Sequence, residues 1–223
     1  PLFSVLLCFF LTATLLTKFK LNLKRDLSEK FQKGYKRDGV QVLANGIVSI
    51  FMAILMTLFP EAKELFLAGF IGAIATVNAD TWSTELGVLS SKPPRMITNG
   101  KVVEAGTSGA ISLLGEIATI AGALCIGLVA YVFIGRGNPS LVESLWILVV
   151  ALIGGFTGST IDSLMGATIQ GIYYCDRCKK ETEKKVHGCG AKTRHLRGFE
   201  FIDNDVVNAL SSLGGAIIAI LIY

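Results

Sequence analysis

Residues 1–17, 39–60, 65–79, 117–135, 144–161 and 206–223 contain no Asp, Glu, Lys or Arg. A helix needs about 17–25 mostly apolar residues to cross a bilayer, and most of these runs reach that length alone. The 65–79 run reaches it by continuing to Leu89, interrupted only by Asp80 and Glu85. The pattern predicts six helices, at about 1–18, 40–59, 65–89, 107–134, 143–171 and 203–223. Residues 1–17 lack a basic leader and an A-x-A-like site, so they read as a span and not as a signal peptide. A spanning β-barrel would show alternating segments of about 10 residues. These runs are long, unbroken and rich in Gly and Ala, which lets membrane helices approach closely. The composition agrees: of 223 residues, 52% are hydrophobic and 17% charged, too apolar for an ordinary soluble domain. The expected fold is all-α, a single polytopic membrane bundle over 1–223 with a small Cys/His loop at 172–200.

The basic residues orient the bundle. Of the 21 Lys and Arg residues, 19 fall in the first, third and fifth connections and 2 in the second and fourth. The positive-inside rule places the odd connections in the cytoplasm. The net charge of +4 requires no nucleic-acid partner, because a basic cytoplasmic face suits anionic lipid or phosphate equally well.

This topology gathers unusual residues at one membrane face. Asp80 and Glu85 close the third span, Asp162 lies near the cytoplasmic end of the fifth, and Asn204, Asp205 and Asn208 open the sixth. Asn45 lies near the same side of the second span, and Arg37 in the basic loop before it. A charge within a span costs about 2.5–3.5 kcal/mol on insertion scales, so it usually faces a cavity or a partner. Water-exposed helix caps would use the same residue types, above all at Asp203 and Asp205. Helical spacing puts Asn78, Thr81 and Glu85 on one face and Asp80 with Thr84 on the adjacent strip. Mg²⁺ would neutralise such carboxylates, since it favours a few of them together with phosphate oxygens. The third connection, "PRMITNGKVVEAGTSGAIS", adds Arg95, Lys101 and a small-residue turn of Gly106, Thr107, Ser108 and Gly109. Backbone amides at a helix start bind anions, although no Walker sequence is present.

"CDRCKKETEKKVHGCG" supplies Cys175, Cys178, His187 and Cys189, a set suited to tetrahedral Zn²⁺. His195 is an alternative fourth ligand, and a redox pair at Cys175 and Cys178 is the rival reading. A reducing cytoplasm disfavours a structural disulfide. Cys8 and Cys125 fall in apolar spans and read as packing residues.

Four motifs in order, "NADTWSTELGVLS", "PPRMITNGKVVEAGTSGAIS", "GSTIDSLMGATIQ" and "FIDNDVVNALSSLGGA", resemble the membrane family catalogued as domain of unknown function 92. That family includes transmembrane protein 19 and plant phytyl-phosphate kinase. The match runs from about Gly34 to the C-terminus. The resemblance implies phosphoryl transfer from a nucleoside triphosphate, CTP preferred, to an isoprenoid monophosphate such as phytyl or geranylgeranyl phosphate. It picks out Asp80, Glu85, Asp162 and Asp205 as catalytic and Mg²⁺-binding residues. Arg95, Lys101, Gly106, Thr107, Gly109, Asn204 and Asn208 become substrate contacts, to which Arg37 and Asn45 are added from their position. Ala110 stands where a second Gly is expected. Two other functions use the same parts: a nucleotidyltransferase forming a CDP-lipid, and a transporter. The D-x2-D-G-x2-A-R pattern of CDP-alcohol transferases is absent, and no internal repeat is evident.

Overall fold

The segment from Leu67 to Ala79 is buried at every position, which makes its helix the axis of the molecule. In the computed structural model, which describes residues 1–20, 39–134 and 144–223, six helices form. They are α1 (Leu2–Lys18), α2 (Gly39–Leu58), α3 (Lys63–Gly87, entered through a 3₁₀ turn at Pro60–Ala62), α4 (Leu113–Ile134), α5 (Trp146–Thr168) and α6 (Asn204–Ile222). All five other helices pack against α3. A helix that is apolar on every side is stable only when enclosed in this way. The outer helices expose Phe51, Ile54, Ile117, Leu128 and Ile217, the surface a bilayer accepts. From α2 to α6 each helix is long and apolar enough to cross a membrane, whereas α1 is apolar but has 17 residues.

Close approach is what the small residues provide. A side chain on Gly158 or Gly215 would run into Thr76 of α3. The Thr76 hydroxyl lies 2.9 Å from the Gly72 carbonyl and 3.2 Å from that of Gly154 on α5. Two residues further, Asn78 is fully buried and ties three helices. Its Oδ1 accepts from Thr12 of α1 at 2.9 Å, and its Nδ2 donates to the Gly122 carbonyl of α4 at 2.7 Å. Cys8 and Cys125 meet across α1 and α4, Sγ to Sγ 3.7 Å.

Helix limits differ from those the apolar runs predict, and two of the differences bear on the site. The fourth helix begins at Leu113 and not at 107. Ala110–Ile111 (β2) is extended and pairs antiparallel with Arg95–Met96 (β1), with Arg95 opposite Ile111. Ser112 then caps the helix by accepting from the Gly115 amide at 3.1 Å. The fifth helix ends at Thr168 and not at 171. The chain turns through Gln170 and Gly171 into Ile172–Cys175 (β3), whose β-branched and aromatic residues favour a strand. This strand forms a three-stranded antiparallel sheet with Lys180–Thr182 (β4) and Arg194–Arg197 (β5), in the order β4-β3-β5. The Cys/His loop is therefore a small β module set between α5 and α6.

Asn78→Ala removes both interhelical bonds. A loss of about 1–3 kcal/mol is expected for two buried hydrogen bonds of about 0.5–1.5 kcal/mol each, read by reversible unfolding in mixed micelles. Thr14→Ala serves as the control. The Thr14 hydroxyl makes an exposed bond within its own helix, to the Phe10 carbonyl, so its loss should stay within about 0.5 kcal/mol.

Candidate functional site

One face of α3 opens where the helix leaves the core. Asp80, Ser83, Thr84 and Gly87 recur at helical spacing and line a cleft of about 120 Å³. Across from them stand Asp162 and Ser163 of α5, with Ser112 and Gly115 at the start of α4 and Asn204 at the start of α6. The remaining wall is the 105–110 segment, completed by Val88, Pro94, Gln170 and Glu183. Asp80 is the neighbouring charge acting on Asp162, whose Oδ2 accepts from Ser211 of α6 at 2.9 Å. Asp80, Asp162 and Glu183 are the acids of the lining, and no Lys or Arg belongs to it among the described residues.

The small-residue loop is held tightly in place. Gly109 has φ +80°, and its α-carbon lies so close to the Ala167 backbone that any side chain would collide. No residue but glycine satisfies both demands. The Ser108 hydroxyl donates to Gln170 Oε1 at 2.7 Å, and Gln170 Nε2 donates to Glu183 at 3.0 Å. Arg197 donates to the Gly166 carbonyl at 2.8 Å and to the Ser108 carbonyl at 3.2 Å. Burial pulls the Arg197 guanidinium below its ordinary pKa, while the charges of Glu181 and Glu183 act the other way.

The predicted site residues divide. Asp80, Asp162, Gly106, Thr107, Gly109 and Asn204 line the cleft. Glu85 lies outside it, on the strip facing α1, and accepts from Thr17 at 2.6 Å. Asp205 and Asn208 are buried within α6 and are not part of the lining. Arg95 and Lys101 are exposed in the turn joined to β1, where Arg95 donates to the Gly100 carbonyl at 2.8 Å. That turn touches the cleft loop through the Ile97 amide, which donates to the Gly109 carbonyl at 3.1 Å. Asn45 is buried in α2 away from the cleft, and its Oδ1 has no hydrogen-bond partner among the described residues. Arg37 lies outside the described residues. Gln170, Glu183, Ser112 and the pinning role of Arg197 do not emerge from the sequence. Each depends on a contact distant in the chain, and only the unusual placement of Gln170 between a helix and a glycine hints at one.

A second cluster sits in the β module. The ligand atoms of Cys175, Cys178, His187 and Cys189 lie within 4.8 Å of one another, a set able to hold a metal ion. Cys175 and His187 are buried. All five cysteines are free thiols. Cys178 and Cys189 are each followed by a residue of positive φ, Lys179 at +53° and Gly190 at +81°, so two similar turns present the two thiols. The Cys189 thiol is brought down to about 6, first by the backbone hydrogen bond with Ala191 and then by His187. Cys178 is pushed up to about 11, chiefly by its hydrogen bond with Cys189. His195 is exposed and packs edge-on against Tyr173, ring centroids 5.6 Å apart, so the fourth member of the cluster is His187.

Residues 1–216 match the family described as integral membrane protein DUF92. The chain is 35% identical to Protein PGR of Arabidopsis thaliana, over 94% of this chain and 77% of that protein. It is 33% identical to an uncharacterized membrane protein of Methanocaldococcus jannaschii, over 98% and 75% of the two chains. With Protein VTE6, chloroplastic, of Arabidopsis thaliana it shares 29% identity over 98% of this chain and 57% of that protein. No solved structure matches it. A cleft built from four motifs of the sequence, inside a helical membrane bundle matched along nearly its whole length, places this chain in the DUF92 family of integral membrane proteins.

Proposed function

We propose that this protein is a kinase that converts an isoprenoid monophosphate to its diphosphate at the cytoplasmic face of the membrane, with CTP as donor. The observation that carries the reading is the cleft itself. Asp80 and Asp162 face a glycine-held loop at the ends of membrane helices, and no Lys or Arg lines the space among the described residues. The resemblance of the motifs to plant phytyl-phosphate kinase supplies the reaction class, and the charge asymmetry of the connections supplies the side.

The donor set suits Mg²⁺. Asp80 and Asp162 offer carboxylate oxygens, with the Ser83 and Thr84 hydroxyls and the Asn204 amide nearby in the same lining. These are hard oxygen ligands, few in number, of the kind that leave room for phosphate and water. Bound there, the ion would supply charge neutralisation for the triphosphate.

The protein's own part is positioning, which dominates phosphoryl transfer. The 106–109 loop would pack against the phosphates, and the capped start of α4 lies beside it in the same lining. Arg95 and Lys101, exposed on the adjoining turn, reach phosphate from the water side. Asp205 and Asn208 support Asn204 from within α6, and Glu85 holds the end of α3 against α1. The acceptor phosphate is ionised near neutral pH and needs no base. Its oxygen attacks the γ-phosphorus, the bond to the β–γ bridging oxygen breaks, and CDP departs with that electron pair. The isoprenoid tail remains among the helices.

Labelled CTP, Mg²⁺ and phytyl or geranylgeranyl phosphate, added to the protein in lipid, should yield the diphosphate and CDP. Pyrophosphate release would instead indicate a CDP-lipid-forming nucleotidyltransferase, and no turnover with any nucleoside triphosphate would sink the kinase. Asp80→Asn and Asp162→Asn should each lower kcat by about 10²–10³-fold, the scale for losing electrostatic support of a transition state. Glu85→Gln, off the cleft, should stay within about tenfold of the parent, since its loss acts on packing.

The Cys175, Cys178, His187 and Cys189 cluster is proposed to hold one structural Zn²⁺, because four protein ligands close a tetrahedral site. Elemental analysis of the purified chain should find about one zinc per protein. A Cys189→Ser variant should find little, and His195→Ala should retain it.

A further inference from the structure

We infer that the metal-bound β module fixes the geometry of the cleft: the Cys/His cluster, through Arg197 and through the Glu183–Gln170 pair, holds the 106–109 loop in place.

Two separate links converge on one residue. From β5, Arg197 reaches the main-chain carbonyl of Ser108 and, with its other terminal nitrogen, the Gly166 carbonyl of α5. From the end of β4, Glu183 accepts from Gln170, whose other amide atom accepts from the Ser108 hydroxyl. Ser108 is thus gripped by its backbone and by its side chain, and both grips originate in the module or its junction with α5. Gly109, the next residue, lies flat against Ala167. A small displacement of either link would shift the loop amides that line the cleft.

The module depends on its cluster for its own order. Between Ile172 and Arg197 the buried residues are Ile172, Tyr173, Cys175, Thr182 and His187. Two of the five are members of the cluster, and only Ile172 and Tyr173 are large apolar or aromatic side chains. So small an interior cannot sustain a sheet unaided, and a metal ion closing the four ligands contributes folding free energy directly. Cys175 ends β3, Cys178 lies in the turn to β4, and His187 and Cys189 lie between β4 and β5. The cluster therefore sets the register of β4, which leads directly into Glu183, and of β5, which carries Arg197. Arg197 and Gln170 are positioning residues: they act through Ser108 and are not called upon to touch substrate.

This inference rests on reading the cleft as the binding site, yet its test needs no turnover. Within the loop, the Thr107 amide donates to the Glu104 carbonyl at 3.2 Å and the Ala110 amide to the Thr107 carbonyl at 3.1 Å. Hydrogen exchange at these amides reports whether the loop is held. The full chain in lipid nanodiscs would be compared with zinc bound, after removal by a chelator, and after zinc is restored. Exchange at 107 and 110 should rise about tenfold or more on removal and return on restoration, as expected for a local opening that a ligand suppresses. Arg197→Met should raise exchange at the same amides while zinc content and protection of β3 stay unchanged, and Arg197→Lys should restore part of the protection. Unchanged exchange at 107 and 110 after zinc removal, or in Arg197→Met, would overturn the coupling, as would a wild-type chain that binds no zinc. A protein that shows the coupling but transfers no phosphoryl group would retain this inference and lose the kinase.

Discussion

Enclosure of α3 on every side is the constraint from which the rest of the architecture follows. Neighbours can surround a helix completely only if they come close, and that requires glycine and alanine at the crossings, as at Gly158 and Gly215 against Thr76. Polar groups on such a helix then have two choices. They can be satisfied within the bundle, as Thr76 and Asn78 are by carbonyls and a hydroxyl of neighbouring helices. Otherwise they must wait until the helix leaves the core. Asp80 is the first acid after the buried run ends at Ala79, so the cleft begins where enclosure stops.

Charge at the cleft depends on how Arg197 is used. Arg197 is close enough to bridge Ser108 and Gly166, but its donors face two carbonyls and not the space beside Asp80. A guanidinium is suited to such work because its planar donors are fixed and it remains charged even when partly buried. With that cation committed to the wall, the lining keeps Asp80, Asp162 and Glu183 without Lys or Arg among the described residues. In the proposed reading, neutralisation comes with the ligand, as a metal–phosphate complex and not a bare anion.

The membrane helices and the sharing of one face by several acidic ends were legible because both follow from patterns local in the chain: charge-free length and loop charge. The Cys175–Cys189 set was legible for the same reason, since metal spacing is a short-range signature. What escaped was long-range. Glu85 has the residue type and the depth of a site acid, yet one strip of α3 separates it from Asp80, and contact with Thr17 of α1 decides its role. Gln170 reads as the polar end of a helix, but its two amide atoms join Ser108 to Glu183. The start of α4 was displaced because the pairing of β1 with β2 extends residues whose composition is compatible with a helix.

The stretch Asp203-Asn204-Asp205 shows why acidic motifs at helix starts resist reading from sequence. Three adjacent polar residues take three different positions. Asp203 caps α6, accepting from the amides of Asp205 and Val206 at 3.1 Å each. Asn204 lines the cleft, and Asp205 is turned into the bundle with only 8% of its surface exposed. Helix capping, ligand binding and buried hydrogen bonding all favour short polar side chains, so residue type alone cannot apportion them. The outcome bears on the chemistry. With Asp203 engaged by backbone amides and Asp205 turned inward, α6 brings an amide and not a carboxylate to the cleft. Asp80 and Asp162, from helices that meet only through tertiary packing, are then the pair on which the proposed metal site rests.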